Sequence, residues 1–114
     1  MEVRIESAGK KIVASPGERA VITIYKVPSG YKAKVRSCTI GFPVGVNFEL
    51  EIRAMFGNIS IVPTQGTISG DSMVIPIDVD FVLNSDEEFK IEYRNLSSTD
   101  IRSAFVLAIF EVFK

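Results

Sequence analysis

Histidine and tryptophan are absent from this chain, cysteine occurs once, and glutamine is confined to position 65. Without histidine, a serine or cysteine nucleophile lacks its usual general base. Zinc sites built from His and Cys are closed for the same reason. The single cysteine, Cys38, permits no internal disulfide, so the fold has to stand on packing. No apolar run is long enough to cross a membrane as a helix. The first thirteen residues alternate charged and apolar side chains and lack the hydrophobic block of a signal peptide, so the expectation is cytoplasmic synthesis. Excess charge is missing too. A net charge of −1 provides no bulk field to recruit nucleic acid or an anionic membrane.

What remains is an ordinary globular composition, 46% apolar and 24% charged over 114 residues, which supports one domain spanning 1–114. Lysine, arginine, glutamate, isoleucine and valine are plentiful while amides are few, a profile compatible with a thermophile source. No linker, repeat or low-complexity segment interrupts the chain.

Apolar residues recur with a period of two, and no segment sustains a helical period. Val3, Ile5 and then 10–14 read as one or two short strands broken at Ala8-Gly9. The stretch 23–42, with two alternating arms around Pro28-Ser29-Gly30, reads as a β-hairpin whose first arm, apolar on both faces, is expected to be central. In the second arm Lys32, Lys34 and Arg36 share the parity of Cys38, Ile40 and Phe42, so a bulge near Ser37 is expected. Residues 46–56 form the cleanest alternation, with Val46, Phe48, Leu50, Ile52, Ala54 and Phe56 on one side. Gly57-Asn58 turns the chain into 59–62, and a loop over 63–72 follows. Strand 73–81 contains Pro76 and should lie at an edge or bulge. Asn84-Ser85-Asp86 leads into 87–94, where Phe89, Ile91 and Tyr93 alternate with charges. Residues 102–113 close the chain. The pattern predicts an all-β fold: a single β-sandwich, jelly-roll-like, of about eight mostly antiparallel strands.

The last strand is apolar on both faces. Ala104, Val106, Ala108, Phe110 and Val112 share one; Phe105, Leu107, Ile109 and Phe113 share the other, with Glu111 among them. A sandwich strand normally shows one face to water. Two readings stay open: a central strand covered by a loop of its own chain, or a subunit interface through Phe105, Leu107, Ile109 and Phe113.

Candidate chemistry is sparse. Asp78 and Asp80 share a strand face, near Asp71, Asp86, Glu87 and Glu88, but their spacing matches no calcium loop and such charges are usually solvated. No catalytic, cofactor-binding or metal-ligating residue is assigned, and no cofactor is expected. Lys32, Lys34 and Arg36 with Tyr25 and Tyr31 would be the basis of nucleic-acid binding, but the patch is small and the chain mildly acidic. Residues 1–36 carry eight basic and three acidic side chains and residues 71–92 one basic and seven acidic. That opposition suits head-to-tail subunit pairing as well as a nucleic-acid groove, and solvated faces better than either. Asn58-Ile59-Ser60 and Asn95-Leu96-Ser97 are formal glycosylation sequons with no signal peptide to make use of them.

The run TIYKVPSGYKAKV from Thr23 to Val35 resembles the T-x-Y-x-V-P-x-G-x-x-A-x-V opening of small β-sandwich structural proteins of tailed-phage and prophage virions. Gly70-Asp71 before strand 73–79, the turn 84–86 and the closing Phe110-Glu111-Val112 extend the resemblance over about residues 20–113. The glycine usual in the 84–86 turn is absent here. The resemblance implies a virion or virus-derived module with no catalytic residues, partnered by copies of itself and by other virion proteins. The sequence thus reads as a non-enzymatic structural or assembly protein that homo-oligomerises through its C-terminal strand, with no nucleic acid and no membrane as partner. The alternative is a carbohydrate-binding-type β-sandwich using Tyr31, Phe42, Asp78 and Asp80, weakened by the lack of a tryptophan platform.

Overall fold

The computed structural model describes residues 3–63 and 65–114; Thr64, inside the expected 63–72 loop, lies outside the described residues. Eight strands follow one another: β1 (Val3–Ala14), β2 (Arg19–Lys26), β3 (Lys32–Phe42), β4 (Leu50–Phe56), β5 (Ile59–Val62), β6 (Met73–Leu83), β7 (Glu88–Asn95) and β8 (Arg102–Phe113). No helix occurs among the described residues. One sheet has the order β1-β8-β3-β6 and the other β2-β7-β4-β5, every pairing antiparallel. Each sheet mixes strands from both halves of the sequence, and only the β4–β5 link joins neighbours within a sheet. This is the double-sheet jelly-roll arrangement.

Two-residue alternation produces the core. From β8 come Val106, Ala108, Phe110 and Val112, from β4 Leu50, Ile52, Ala54 and Phe56, and from β7 Phe89 and Ile91, all buried between the sheets. Aromatic rings pack both across the layers and between neighbouring strands. Tyr25 stacks on Phe110 with centroids 4.5 Å apart, Phe56 stacks on Phe89 at 4.9 Å, and Phe89 meets Phe110 edge-on at 5.8 Å.

The expected bulge near Ser37 is present. The register of β3 shifts between Val35 and Ser37 against both neighbours. Ala33 and Val35 before it, and Cys38, Ile40 and Phe42 after it, therefore all point inward despite their opposite parities. Pro76 lies, as its missing N–H requires, in an edge strand, β6.

Four expectations are corrected. The stretch 23–42 is no hairpin, because β2 pairs with β7 while β3 pairs with β6 and β8 in the other sheet. The Pro28–Gly30 turn is real, with Gly30 at φ 85°, but it carries the chain across the sandwich and is tied to the β6–β7 turn. There Ser29 Oγ donates to Asp86 at 2.7 Å and the Gly30 N–H to Ser85 Oγ at 2.8 Å. Second, β2 is an edge strand; its two apolar faces reflect a bulge between Thr23 and Tyr25 that turns Tyr25 inward. Third, β1 is a single strand. It pairs with β8 without interruption from Val3↔Phe113 to Ala14↔Arg102, and Gly9 lies opposite Leu107. Fourth, β4 starts at Leu50, not Val46. Asn47 and Phe48 both take left-handed backbone angles (φ 54° and 59°), and Phe48 is 55% exposed rather than in the core.

Candidate functional site

The inward residues of β8 fix the direction of the others. With Ala104 through Val112 sealed in the core, Phe105, Leu107, Ile109 and Phe113 must stand on the outer face of the β1-β8-β3-β6 sheet. Strand register sets their neighbours: Phe105 lies between Lys11 and Gly41, and Leu107 between Gly9 and Thr39. Gly9 lets the side chains of Phe105 and Leu107 lie over β1. A Cβ on Gly9 would come 3.1 Å from Phe105 Cζ and 3.2 Å from Leu107 Cδ1. Leu107, Ile109 and Phe113 are half-buried, whereas Phe105 stays 47% exposed.

Exposed side chains of the flanking strands widen the surface: Val3, Ile5 and Val13 on β1, and Val74 and Val82 on β6. Between Phe105 and Val74 lies a shallow, almost wholly apolar hollow of about 420 Å³, with Gly41 as its floor and Lys11 at its rim. Polar groups gather at the other end of the same face, where Arg36 Nε donates to Glu111 at 2.7 Å and Lys34 pairs with Asp80 at 3.4 Å.

The opposite sheet turns a different face to solvent. Its outer surface carries Arg19, Glu51, Arg53, Glu92 and Arg94, and Glu92 lies 4.0 Å from Arg19 and 3.7 Å from Arg53. One outer face is thus charged and internally paired, while the other exposes aliphatic and aromatic carbon.

The structure separates the residues of the alternative ligand site. Phe42 is 3% exposed, packed inside the sandwich at one end of β3. Tyr31 precedes the other end of β3, its ring faced by Arg4 at 5.1 Å and Lys114 at 4.9 Å. Asp80 pairs with Lys34, and Asp78 lies opposite Ser37 in mid-strand. No cleft gathers all four. The basic patch is likewise dispersed: Lys34 and Arg36 have acidic partners, and the Tyr25 hydroxyl donates to Glu6 at 3.0 Å while its ring lies against Phe110. The opposed charge segments meet within the chain, β3 against β6 and β2 against β7.

Cys38 is fully buried, and burial pushes its thiol up to about 12. Tyr25 is also raised to about 12, by burial first and then by its hydrogen bond to Glu6. Among the described residues, no three His, Cys, Asp or Glu side chains come together as a metal site. Asn95 of the second sequon is 1% exposed and structural: its amide nitrogen donates to the carbonyls of Ala14, Ser15 and Asp100.

Val74, Gly9, Gly41 and the odd-numbered residues of β1 belong to the apolar face without standing out in the sequence. Their only signal is cross-strand register, which becomes legible once β1 and β3 are known to flank β8.

No family model matches the chain, and no curated protein matches it in sequence. Among solved structures, the chain is similar to one in the acidic stable capsid of Helicobacter pylori bacteriophage KHP30, with a TM-score of 0.64 and 12% identity over 96% of this chain and 93% of that one. It is also similar to a chain of the cyanophage Pam1 capsid asymmetric unit, with a TM-score of 0.56 and 13% identity over 96% and 85%. A chain of the infectious bursal disease virus Gt strain gives a TM-score of 0.55 at 12% identity over 96% of this chain, which spans only 31% of that one. At such identities the likeness is one of fold, a fold this chain shares with chains of two phage capsids.

Proposed function

We propose that this protein is a non-enzymatic structural component of a virion or virus-derived particle, and that it works as a homo-oligomer whose copies meet through the outer face of β8. The observation that carries the reading is the apolar half of that face, with Phe105 and Val74 lining the hollow and Leu107 beside them, against an outer face on the other sheet dominated by paired charges. Apolar area in water forgoes roughly 25 cal/mol per Å². Several exposed large side chains therefore forgo an amount comparable to a fair share of a small domain's stability of about 5–15 kcal/mol. A neighbouring copy recovers that free energy. The likeness to two phage capsid chains over nearly their whole length supports the virion setting, with other virion proteins as further partners.

The test is the mass in solution. Light scattering at micromolar concentration should show an oligomer, and Leu107→Glu should give a folded protein of lower mass, because Leu107 is outside the core. A well-behaved wild-type monomer would overturn self-assembly through this face.

A further inference from the structure

A bare sheet edge offers a row of unpaired N–H and C=O groups to any strand that reaches it, and proteins usually blunt such edges. Three of the four edges here are blunted. β6 contains Pro76, which has no N–H to give, together with the outward-facing Asp78 and Asp80. β2 is interrupted by the bulge between Thr23 and Tyr25. β5 is only four residues long. β1 has neither proline nor bulge nor a short span, and its only such device is the pair of exposed lysines Lys10 and Lys11. It runs twelve residues without proline or bulge and keeps one register against β8 throughout, so its far side is an unbroken pairing edge.

The residues along β1 suit a copy of themselves. Two antiparallel copies related by a twofold axis pair residues whose numbers add to a constant. The constant must be even, or the core face of one copy would meet the outer face of the other. An axis at Ala8 sets Val3 against Val13, Arg4 against Ile12, Ile5 against Lys11, Ser7 against Gly9 and Glu6 against Lys10. Opposite charges thus face each other twice, once on each side of the axis. Moving the axis to Ser7 places Arg4 against Lys10. Moving it to Gly9 leaves both lysines without an acid opposite.

Lysine on an edge ordinarily repels an incoming strand. Lys10 and Lys11 form no ion pair among the described residues, so both cations are available. Glu6 is held in place to receive one. One of its oxygens accepts from the Tyr25 hydroxyl at 3.0 Å and the other lies 3.2 Å from Arg4. Val3 and Val13, each more than half exposed, would cover one another.

We infer that β1 pairs with β1 of a second copy, antiparallel and centred on Ala8, joining two four-stranded sheets into one of eight strands. The contact lies in the plane of the sheet, whereas the β8 contact lies on its face. One copy can make both, and neither depends on the other.

Lys10→Glu sets Glu6 against a second glutamate and should halve the mass measured by light scattering. Glu6→Lys should halve it by the opposite repulsion. An equimolar mixture of the two should regain the full mass, because each variant then meets the charge it lacks. Unchanged mass in Lys10→Glu, or a mixture of folded variants that fails to recover, overturns the inference. Should Glu6→Lys not fold, Ala8→Cys replaces it: mild oxidation should link two copies through that position, and absence of the link overturns the pairing. Loss of the β8 contact alone is recognised by a Leu107→Glu protein whose remaining mass still halves on adding Lys10→Glu. A wild-type monomer defeats both contacts.

Discussion

The side-chain amide of Asn95, at the end of β7, donates to the backbone carbonyl of Ala14, at the end of β1, at 3.1 Å across 81 positions of sequence. The same nitrogen serves Ser15 and Asp100, and the side-chain oxygen accepts from the Ser97 N–H. One buried carboxamide therefore fastens β1, β7 and the loop before β8. Asn95→Ala removes these bonds, and although the Ser15 carbonyl keeps the Glu18 N–H, each unmade bond inside the protein costs about 1–3 kcal/mol. The expected outcome is a loss of roughly 2–4 kcal/mol, read as a fall of the denaturant midpoint at unchanged slope.

Phe48 distinguishes the strand pattern from the structure. A phenylalanine taken out of a packed core costs about 3–5 kcal/mol when truncated. Phe48 instead stands at φ 59° and half exposed, where a side chain costs roughly 1–2 kcal/mol and glycine is at ease. Phe48→Gly should change stability by no more than about 1 kcal/mol in either direction. Asp71 shapes this loop, its carboxylate accepting the N–H groups of Gly45 and Asn47 at 2.8 and 3.0 Å.

Stability should be lost on the alkaline side. Tyr25 and Cys38 are raised to about 12 in the folded protein, from 10.0 and 9.0, and Tyr93 is raised as well by burial and by Glu18. A folded value above the unfolded one means that the folded state keeps its proton longer, so this contribution is whole below the unfolded value and disappears as pH rises. Denaturant midpoints should hold nearly level from pH 6 to 8, since no histidine titrates there, and fall steadily above about pH 9.

Cys38 should be inert in the folded protein. A thiol reagent at pH 8 should label it at least about a hundredfold more slowly in native protein than in denaturant, because both access and the thiolate are withheld. Rapid native labelling would mean that β3 opens from β8.

Much of the fold was legible because it rests on local alternation. Leu50 to Phe56 and Phe89 to Tyr93 bury every second residue as their pattern requires, and the phase slip between Arg36 and Cys38 located the bulge that the register shows. The pattern failed where a turn broke it without breaking the apolar spacing. Val46 and Phe48 continue the alternation of β4, yet left-handed residues at 47 and 48 separate the two segments. Of the alternative ligand site, Phe42 shares the inward phase of Cys38 and Ile40 after the bulge and lies in the core, whereas Tyr31 precedes the strand.

Composition and period are enough to show that the chain is all-β, which residues alternate, where most turns fall, and that histidine-based chemistry is closed. These follow from composition and from a two-residue period, which any strand imposes on its own side chains. Tertiary structure alone decided which strands are neighbours. Pro28-Ser29-Gly30 reverses the chain equally well within a sheet or between sheets, and only the packing of β2 on β7 and of β3 on β8 selects the crossing. Strand order also decided the surface. Phe105 and Leu107 are apolar wherever β8 lies, but Gly9 opposite Leu107 leaves room for both side chains over β1, on a face that strand neighbours far apart in sequence create together.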